Sequence, residues 1–371
     1  MTKKPITLLA VGDIVIFNRE KPETIFARVA DVLRAADITF ANCDQMYSDK
    51  GNRSNHVLRS DTTRNIPALV YAGLDVVSLA NNHAMDWGPE ALLDTIDRIR
   101  NAGIPVVGAG KNIAEARQPV ILERKGNRVG FLAYGCIGPD GSEALEDKPG
   151  IAPMRAWTIY EKWDYQPGTP PRIVTIAYKD DLAAMEEDIR KLKARVDVVA
   201  VSFHWGLHFV RALIPMYEFE IGHAAIDAGA DIILGGHPHI LKGIEVYKGK
   251  VIFHSLGNFA LDMRSDPGDK SFDKLNSRME QMYQFKADPE YPTYPMHPEA
   301  KATVIAKAVT EDGKIKKVSY IPCYINKKSE PEIKTHRDPG GQEVFSYIEK
   351  ISRSQNLPAS FMWEVDEVVI S

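Results

Sequence analysis

The sequence predicts an α/β protein in which apolar strands alternate with amphipathic helices. Short apolar runs that stop at glycine or at a polar residue alternate with longer stretches whose apolar residues recur at helical spacing. In addition, the runs within residues 197–209 and 231–239 are strongly apolar, as expected of central strands that are covered on both faces. We therefore expect a layered domain with a sheet at its centre.

The composition is that of an ordinary globular protein. The 371 residues include 46 Lys and Arg against 50 Asp and Glu, a net charge of −4, and 44% of them are hydrophobic. No basic excess indicates nucleic-acid binding, and no apolar run reaches membrane-spanning length. The first apolar run enters Gly12-Asp13 at once, which indicates a strand rather than a signal peptide. Three widely spaced cysteines predict no disulfide framework, so we expect a cytoplasmic protein.

The first half of the chain alternates strand and helix. Residues 6–11 and 38–41 are apolar runs that predict two strands. Between them, apolar residues at helical spacing predict a helix over residues 22–36, with Pro22 near its start. The same patterns predict, in order, a helix over 63–72, a strand over 75–79, a helix over 89–101, a strand that begins at 105–107 and a hairpin over 119–134.

The second half continues with helices and hairpins. The predicted elements are helices over 181–194 and 216–228, hairpins over 244–254 and 302–324, a helix over 342–352 and an edge strand over 367–370. His223 on the second of these helices is expected to be a packing or surface histidine. Residues 138–171 and 262–300 break the pattern with proline, charge and aromatic residues, so we expect irregular segments there. Each either covers a functional site or is an inert surface insertion.

Polar side chains that can bind metal follow successive predicted strands, at the point where each strand ends. They are Asp13, Asp44, Asn82, His83, His204, His208, His237 and His239. Ligands of open α/β sheets bind beyond the carboxyl ends of the strands, so we expect these side chains to share one site. The Gly235-Gly236 turn favours this arrangement because glycine lets the backbone turn tightly.

This donor set predicts a transition-metal centre. Carboxylate, amide and imidazole donors suit Mn²⁺, Fe²⁺ or Zn²⁺ better than Ca²⁺ or Mg²⁺, which prefer oxygen ligands alone. The set exceeds the needs of one four-coordinate ion, so we expect one or two divalent ions that share a carboxylate. Any single histidine of the set could instead be a hydrogen-bonded loop residue that binds no metal.

Four sequence motifs occur in an order shared with one known family. They are Ser-Leu-Ala-Asn-Asn-His-Ala-Met-Asp-Trp-Gly at 78–88, His204-Trp205-Gly206, Gly236-His237-Pro238-His239 and Ser255-Leu256-Gly257-Asn258-Phe259. From about residue 6 to residue 262, the sequence resembles the CapA (capsule synthesis, poly-γ-glutamate biosynthesis) family of the calcineurin-like metallophosphatase superfamily. The resemblance implies a four-layer α/β/β/α sandwich. We expect it to fill residues 1–330, with insertions at about 138–171 and 262–300, and residues 331–371 to pack a helix and strand on the same domain.

The resemblance also implies roles for individual residues. The implied metal ligands are Asp13, Asp44 and His239 for a first ion and Asn82, His204 and His237 for a second, with Asp44 as the bridge. His83 matches the general acid of the phosphatases. Arg59 matches an arginine near the site, where it holds an anionic group or else forms a surface salt bridge.

Three positions depart from the family pattern. Asp44 stands where the family has a glutamate. Asp13 is not followed by the histidine of the Asp-x-His motif that the phosphatases have. His208 replaces the glutamate of the motif His-Trp-Gly-x-Glu, and we expect it to be either a further ligand or a catalytic acid/base group. These departures leave the number of bound metals open.

The favoured interpretation is a metal-dependent hydrolase that acts on a phosphoester or a related ester or amide through a metal-activated hydroxide. One alternative, suggested by His208 and the reduced first metal site, is a metal-independent peptide or amino-acid epimerase. Another is an accessory factor in poly-γ-glutamate or capsule biosynthesis. The expected partner is an anionic small-molecule or peptide substrate, with neither nucleic acid nor a membrane.

Overall fold

The computed structural model describes residues 3–17, 19–52, 62–263 and 270–371. Within these ranges the strands are β1 (Ile6–Ile16), β2 (Ile38–Cys43), β3 (Val76–Ser78), β4 (Val106–Val107), β5 (Ala109–Gly110), β6 (Val120–Arg124), β7 (Asn127–Gly135), β8 (Gly150–Ile151), β9 (Ala156–Glu161), β10 (Arg172–Ala177), β11 (Val198–His204), β12 (Ile232–Gly236), β13 (Ile244–Tyr247), β14 (Lys250–Phe253), β15 (Asn258–Asp262), β16 (Ala302–Glu311), β17 (Lys314–Ile325), β18 (Pro331–Ile333), β19 (Phe361–Glu364) and β20 (Glu367–Ile370).

The helices of the same ranges connect these strands. The α-helices are α1 (Ala30–Ala35), α2 (Thr62–Ala72), α3 (Pro89–Asn101), α4 (Ile113–Ala116), α5 (Lys179–Lys193), α6 (Met216–Ala228), α7 (Lys270–Tyr283) and α8 (Pro339–Ser354), and the 3₁₀ turns are Pro22–Phe26 and Pro298–Lys301. Among the described residues, none of these helices combines the length and the apolar character needed to cross a membrane.

Two large sheets form the centre of the molecule. The first has the strand order β19-β20-β17-β16-β1-β2-β3-β4, with β15 beside β1 and β18 beside β17. The second has the order β13-β14-β12-β11-β7-β6. The strands β1, β2 and β3 are parallel to one another, as are β7, β11 and β12. Their carboxyl ends therefore lie along a common edge within each sheet.

Side chains alternate between the two faces of each sheet and define four layers. In β1, Leu8 packs between the sheets, whereas Leu9 packs among the helices α1, α2 and α3. The rings of Phe40 and Phe131 stack across the space between the sheets, with centroids 5.9 Å apart. Val199 in β11 faces the helices α5 and α6 on the outer side of the second sheet. The predicted four-layer α/β/β/α sandwich is confirmed by this packing.

Three local predictions were wrong. Residues 22–36 form a 3₁₀ turn and the short α1 instead of one helix, because their apolar spacing fits both arrangements. Residues 262–300 include α7, whose Lys, Arg, Gln, Glu and Met residues are strong helix formers. The strand β20 is not an edge, since it lies between β17 and β19.

The segment 138–171 is neither irregular nor exposed throughout, since Ala144, Ala152 and Met154 are buried in the core beside the second sheet. Its strand β9 pairs with β10 in a separate hairpin, on which Tyr160 is 70% exposed. At the C-terminus, β18, β19 and β20 join the first sheet through β17. The division of the chain at residue 330 stays a prediction.

Candidate metal centre

The predicted ligands come from the carboxyl ends of strands in both sheets. Asp13 lies in β1 where the register with β2 and β15 shifts, which is a local irregularity of the bulge type. The remaining predicted ligands follow or end four strands: Asp44 after β2, Asn82 after β3, His204 at the end of β11, and His237 and His239 after β12. His83, the predicted general acid, directly follows Asn82. The fold therefore brings distant pieces of sequence to one place.

The turn after β12 holds its two histidines in an unusual backbone conformation. The φ angle is 94° at His237 and 57° at His239, in the left-handed region that side chains other than glycine rarely adopt. Such residues cost roughly 1–3 kcal/mol each and cluster at functional sites. A Cβ atom on Gly236 would lie 2.9 Å from Oδ1 of Asp13, so the preceding position has little room for a side chain.

Asn82, His204 and His237, which we call the second half-site, converge on one another. Asn82 Oδ1 lies 2.6 Å from His204 Nε2 and 3.3 Å from His237 Nδ1. The two imidazole nitrogens are 3.2 Å apart. Burial lowers the pKa of both histidines well below its usual range, so both rings are neutral at pH 7 and able to offer lone pairs to a metal.

Asp13 and His239, which we call the first half-site, are held by neighbouring amides. Asn42 Nδ2 donates to Asp13 Oδ1 at 2.8 Å, and the backbone N–H of His237 donates to Oδ2 at 3.2 Å. His239 Nδ1 lies 2.7 Å from Oδ1 of Asn258. One potential ligand atom from each of Asp13, Asp44 and His239 falls within 4.8 Å of the other two.

Asp44 is close to both half-sites and is the least satisfied group of the centre. It is 1% exposed, and neither carboxylate oxygen has a hydrogen-bond partner among the described residues. Its Oδ1 lies 3.6 Å from His204 Nε2. Burial raises the pKa of Asp44 to about 8, against the opposing attraction of His83. Because a buried carboxylate without partners is costly, and a cation would satisfy it, the donor set fits a divalent metal.

His83 is oriented by a carboxylate on its own turn. Its Nδ1 lies 2.7 Å from Oδ2 of Asp86, and its Nε2 lies 3.1 Å from Nδ2 of Asn82. Burial by itself would lower the pKa of His83, but the carboxylates of Asp44 and Asp86 outweigh it and raise the pKa to about 9. The imidazole is therefore protonated at pH 7 and can serve as an acid.

His208 stacks against the metal-ligand candidates. Its ring centroid lies 4.0 Å from that of His237 and 5.0 Å from that of His239. Its Nδ1 is 3.2 Å from the hydroxyl of Tyr283, and its Nε2 is buried without a hydrogen-bond partner among the described residues. Burial, with His239 nearby, lowers the pKa of His208 to about 2. Both predicted roles, ligand and acid/base group, stay open.

Arg59, the remaining predicted site residue, lies outside the described residues. His223 is remote from this constellation, since it pairs with Glu245 at 2.7 Å and stacks on Tyr247.

Several residues that position the site were not assigned a role from the sequence. They are Asn42, Asp86, Asn258 and Tyr283. Asn42 directly follows the apolar run of residues 38–41, just as the predicted ligands follow other apolar runs, and Asn258 belongs to a recognised motif. Both residues could therefore have been identified from the sequence. Tyr283 comes from α7, and no local pattern connects it with His208.

The sequence matches a known family over most of its length. The profile of the family described as "Bacterial capsule synthesis protein PGA_cap" matches residues 7–263. The capsule biosynthesis protein CapA of Bacillus anthracis is 30% identical over 271 residues, which cover 69% of this chain and 60% of that protein. The PGA biosynthesis protein CapA of Bacillus subtilis is 28% identical over 263 residues, covering 68% of this chain and 62% of that protein. The chain thus spans less than two thirds of the length of these relatives.

Solved structures with distant sequences align with most of the chain. A novel phosphatase from Mycoplasma pneumoniae aligns with a TM-score of 0.49 and 14% identity, covering 94% of this chain and 100% of that one. A calcineurin-like phosphoesterase from Bacillus subtilis aligns with a TM-score of 0.42 and 14% identity, covering 95% of this chain and 98% of that one. The fold assignment above depends on the packing of the layers alone.

Proposed function

The chain belongs to the bacterial capsule synthesis PGA_cap family, and from this premise we propose that it is a metal-dependent hydrolase of a phosphoester or a related ester or amide. The observation that carries the proposal is the buried carboxylate of Asp44, which lies beside two sets of donors and whose oxygens have no hydrogen-bond partner within the described ranges. A role in capsule or poly-γ-glutamate synthesis is part of the proposal, because the curated relatives carry those names.

The two half-sites supply the ligands in this proposal. Asp13, Asp44 and His239 would hold one ion, and Asn82, His204 and His237, with Asp44 shared, would hold the other. When bound, such ions lower the pKa of water and neutralise charge on a phosphoryl or carbonyl oxygen.

His83 supplies the proton that the leaving group needs. Water adds to the phosphorus atom and releases one proton to solvent, the bond from phosphorus to the leaving oxygen breaks, and that oxygen takes the proton from Nε2 of His83. Solvent then returns a proton to His83. Asp86 engages Nδ1, so Nε2 is the nitrogen that can release a proton, and the raised pKa favours the protonated ring at pH 7. Because the amide nitrogen of Asn82, 3.1 Å from Nε2, is itself a donor, this step requires the Asn82 amide to turn away from Nε2.

Metal analysis tests the proposal before a substrate is known. Protein purified without chelators should carry about one or two Mn, Fe or Zn ions and hydrolyse a generic phosphodiester. Activity should disappear with chelation and return with metal. The variant His237→Asn should bind metal and hydrolyse the phosphodiester more weakly, whereas His336→Asn, at a partly exposed histidine outside the site, should do both as well as the wild type. Undiminished hydrolysis by metal-free protein would refute the proposal.

A second candidate function is suggested by two histidines that line one cavity, His83 and His208. An acid and a proton acceptor around one cavity are what the epimerisation of a peptide needs, and His83, with its raised pKa, would return the α-proton. The lowered pKa of His208 makes its ring a weak base, so in this reaction bound substrate would have to raise that pKa before His208 removes the α-proton. Metal-free protein in heavy water should then place deuterium on the α-carbon of glutamate-containing dipeptides, and its absence would exclude this reaction for them.

A further inference from the structure

A cavity of about 280 Å³ opens directly beside the metal centre. Part of its wall consists of site residues, namely Asp44, Asn82, His83, His208 and His239. The rest of the wall is mainly apolar, with Val15, Phe17, Leu261, Met263, Met279 and Met296 among its residues. A molecule in this cavity would therefore contact the centre and an apolar surface at the same time.

The apolar wall has a fixed part and an adaptable part. Val15, Phe17 and Leu261 are at most 6% exposed and belong to strands or the residue after one. Met279 and Met282 come from α7, and Met282 is 56% exposed. Methionine side chains are flexible and polarizable, and they adapt to apolar groups of different shape.

A second cavity can be compared with this one by its volume and by the residues that line it. It is larger, at about 460 Å³, and lies among residues that include Gly138, Asp140, Trp157 and Tyr178. None of the predicted site residues that the structure describes lines it. The cavity beside the centre is thus formed with help from the segment 262–300 rather than from the segment 138–171.

We propose that the cavity beside the centre, here called the methionine pocket, binds an alkyl chain or single aromatic ring of the substrate while the reacting anionic group lies at the metal centre. This proposal rests on the proposed function, since it assigns the substrate class of the same site. The volume is close to the lower end of small-molecule sites, about 300–1,000 Å³, so the apolar group is small. Arg278, which is exposed, also lines the pocket and places a positive charge at its solvent side.

A homologous series tests the pocket directly. Calorimetry would measure the binding of methyl-, butyl- and hexylphosphonate to the metal-loaded protein. Hydrolysis of the methyl, butyl and hexyl esters of p-nitrophenyl phosphate would be measured in parallel. Burial of each added methylene should tighten binding and raise kcat/KM by about fourfold until the pocket is full.

Two variants show whether the dependence on chain length comes from the methionine pocket. Met279→Glu should flatten the dependence on chain length, because it introduces a charge into the apolar wall. Met362→Glu, at a methionine that is 66% exposed in β19, should leave that dependence unchanged.

The outcomes distinguish this proposal from the proposed reaction. If affinity rises steeply with chain length but the esters are not hydrolysed, the pocket is supported and the proposed phosphodiesterase activity is refuted. An affinity series that does not rise with chain length overturns the pocket, whether or not the esters are hydrolysed. An equal slope in wild type and Met279→Glu also overturns it.

Discussion

The two half-sites of the centre differ in how their donor atoms are engaged. In the second, the amide of Asn82 and the two imidazoles contact one another at 2.6–3.3 Å. In the first, Asp13 and His239 are instead held by outside amides, those of Asn42 and Asn258. With Asp44 shared, the second half-site offers one donor residue more than the first. We therefore expect it to bind metal more tightly. One paired substitution tests this difference directly, and two further experiments test the shared carboxylate and the neighbouring acid.

The largest effect is expected at the shared carboxylate. Asp44→Asn should reduce metal affinity and the rate of phosphodiester hydrolysis by at least about a hundredfold. Mutation of residues that only hydrogen-bond to metal ligands already lowers affinity or activity by about 10–100-fold. The same change should stabilise the metal-free protein by roughly 1–3 kcal/mol at pH 8, because an unsatisfied buried charge disappears. Urea denaturation with chelator present would measure this gain.

The pH dependence of that gain follows from the pKa of Asp44. The pKa is raised in the folded protein to about 8, so the folded state binds the proton more tightly than the unfolded state. The contribution of Asp44 to stability is present below about pH 4 and is lost as the pH rises towards 8. The advantage of Asp44→Asn over wild type should therefore grow between pH 4 and pH 8. An advantage that shrinks over this range, or one also given by Asp366→Asn at an exposed carboxylate, would contradict the assignment.

A paired substitution compares the half-sites directly. His237→Asn should weaken the first equivalent of Mn²⁺ by about 10–100-fold, whereas His239→Asn should affect chiefly the second equivalent. Asparagine tolerates the left-handed backbone at both positions, so the pair isolates the loss of the imidazole. Calorimetric titration reports both affinities, and the reverse order would show that the first half-site is the stronger.

The smallest effect is expected at the acid beside the second half-site. Asp86→Asn removes a carboxylate that helps to raise the pKa of His83. An acid acts only below its pKa, so the alkaline fall in kcat/KM should move to lower pH and the rate at pH 7 should drop by up to about tenfold. The pH profile measures this shift. Asp366→Asn, at an exposed carboxylate, is the control. If the alkaline fall in kcat/KM stays at the same pH in Asp86→Asn, His83 is not the acid.

The fold could be predicted largely because local patterns and their spacing agree. The helix over 89–101 has its predicted bounds, since proline and glycine mark its ends as well as its apolar stripe. The four layers were predicted from the family resemblance, because alternation of strands and helices is equally compatible with a single sheet covered on both sides. The helix α7 was missed because its segment is polar and its apolar face is completed only by distant residues.

For the site, the sequence identified the ligand candidates that the fold brings together better than the residues that position them. Ligand candidates share one recognisable position, directly after a strand, and the strands bring them together. The contacts of Asn258 with His239 and of Tyr283 with His208 depend on tertiary structure. That the oxygens of Asp44 have no hydrogen-bond partner in the part of the chain that the structure describes depends on their surroundings, and composition and spacing do not report burial.

The backbone at His237 and His239 creates a conflict between folding and chemistry. At each position glycine would relieve the torsional strain of the left-handed backbone, so backbone conformation alone favours glycine there. That change would also delete a buried imidazole, together with its packing, from the centre. The two histidines therefore owe their place in this turn to their side chains, in spite of what the backbone conformation costs.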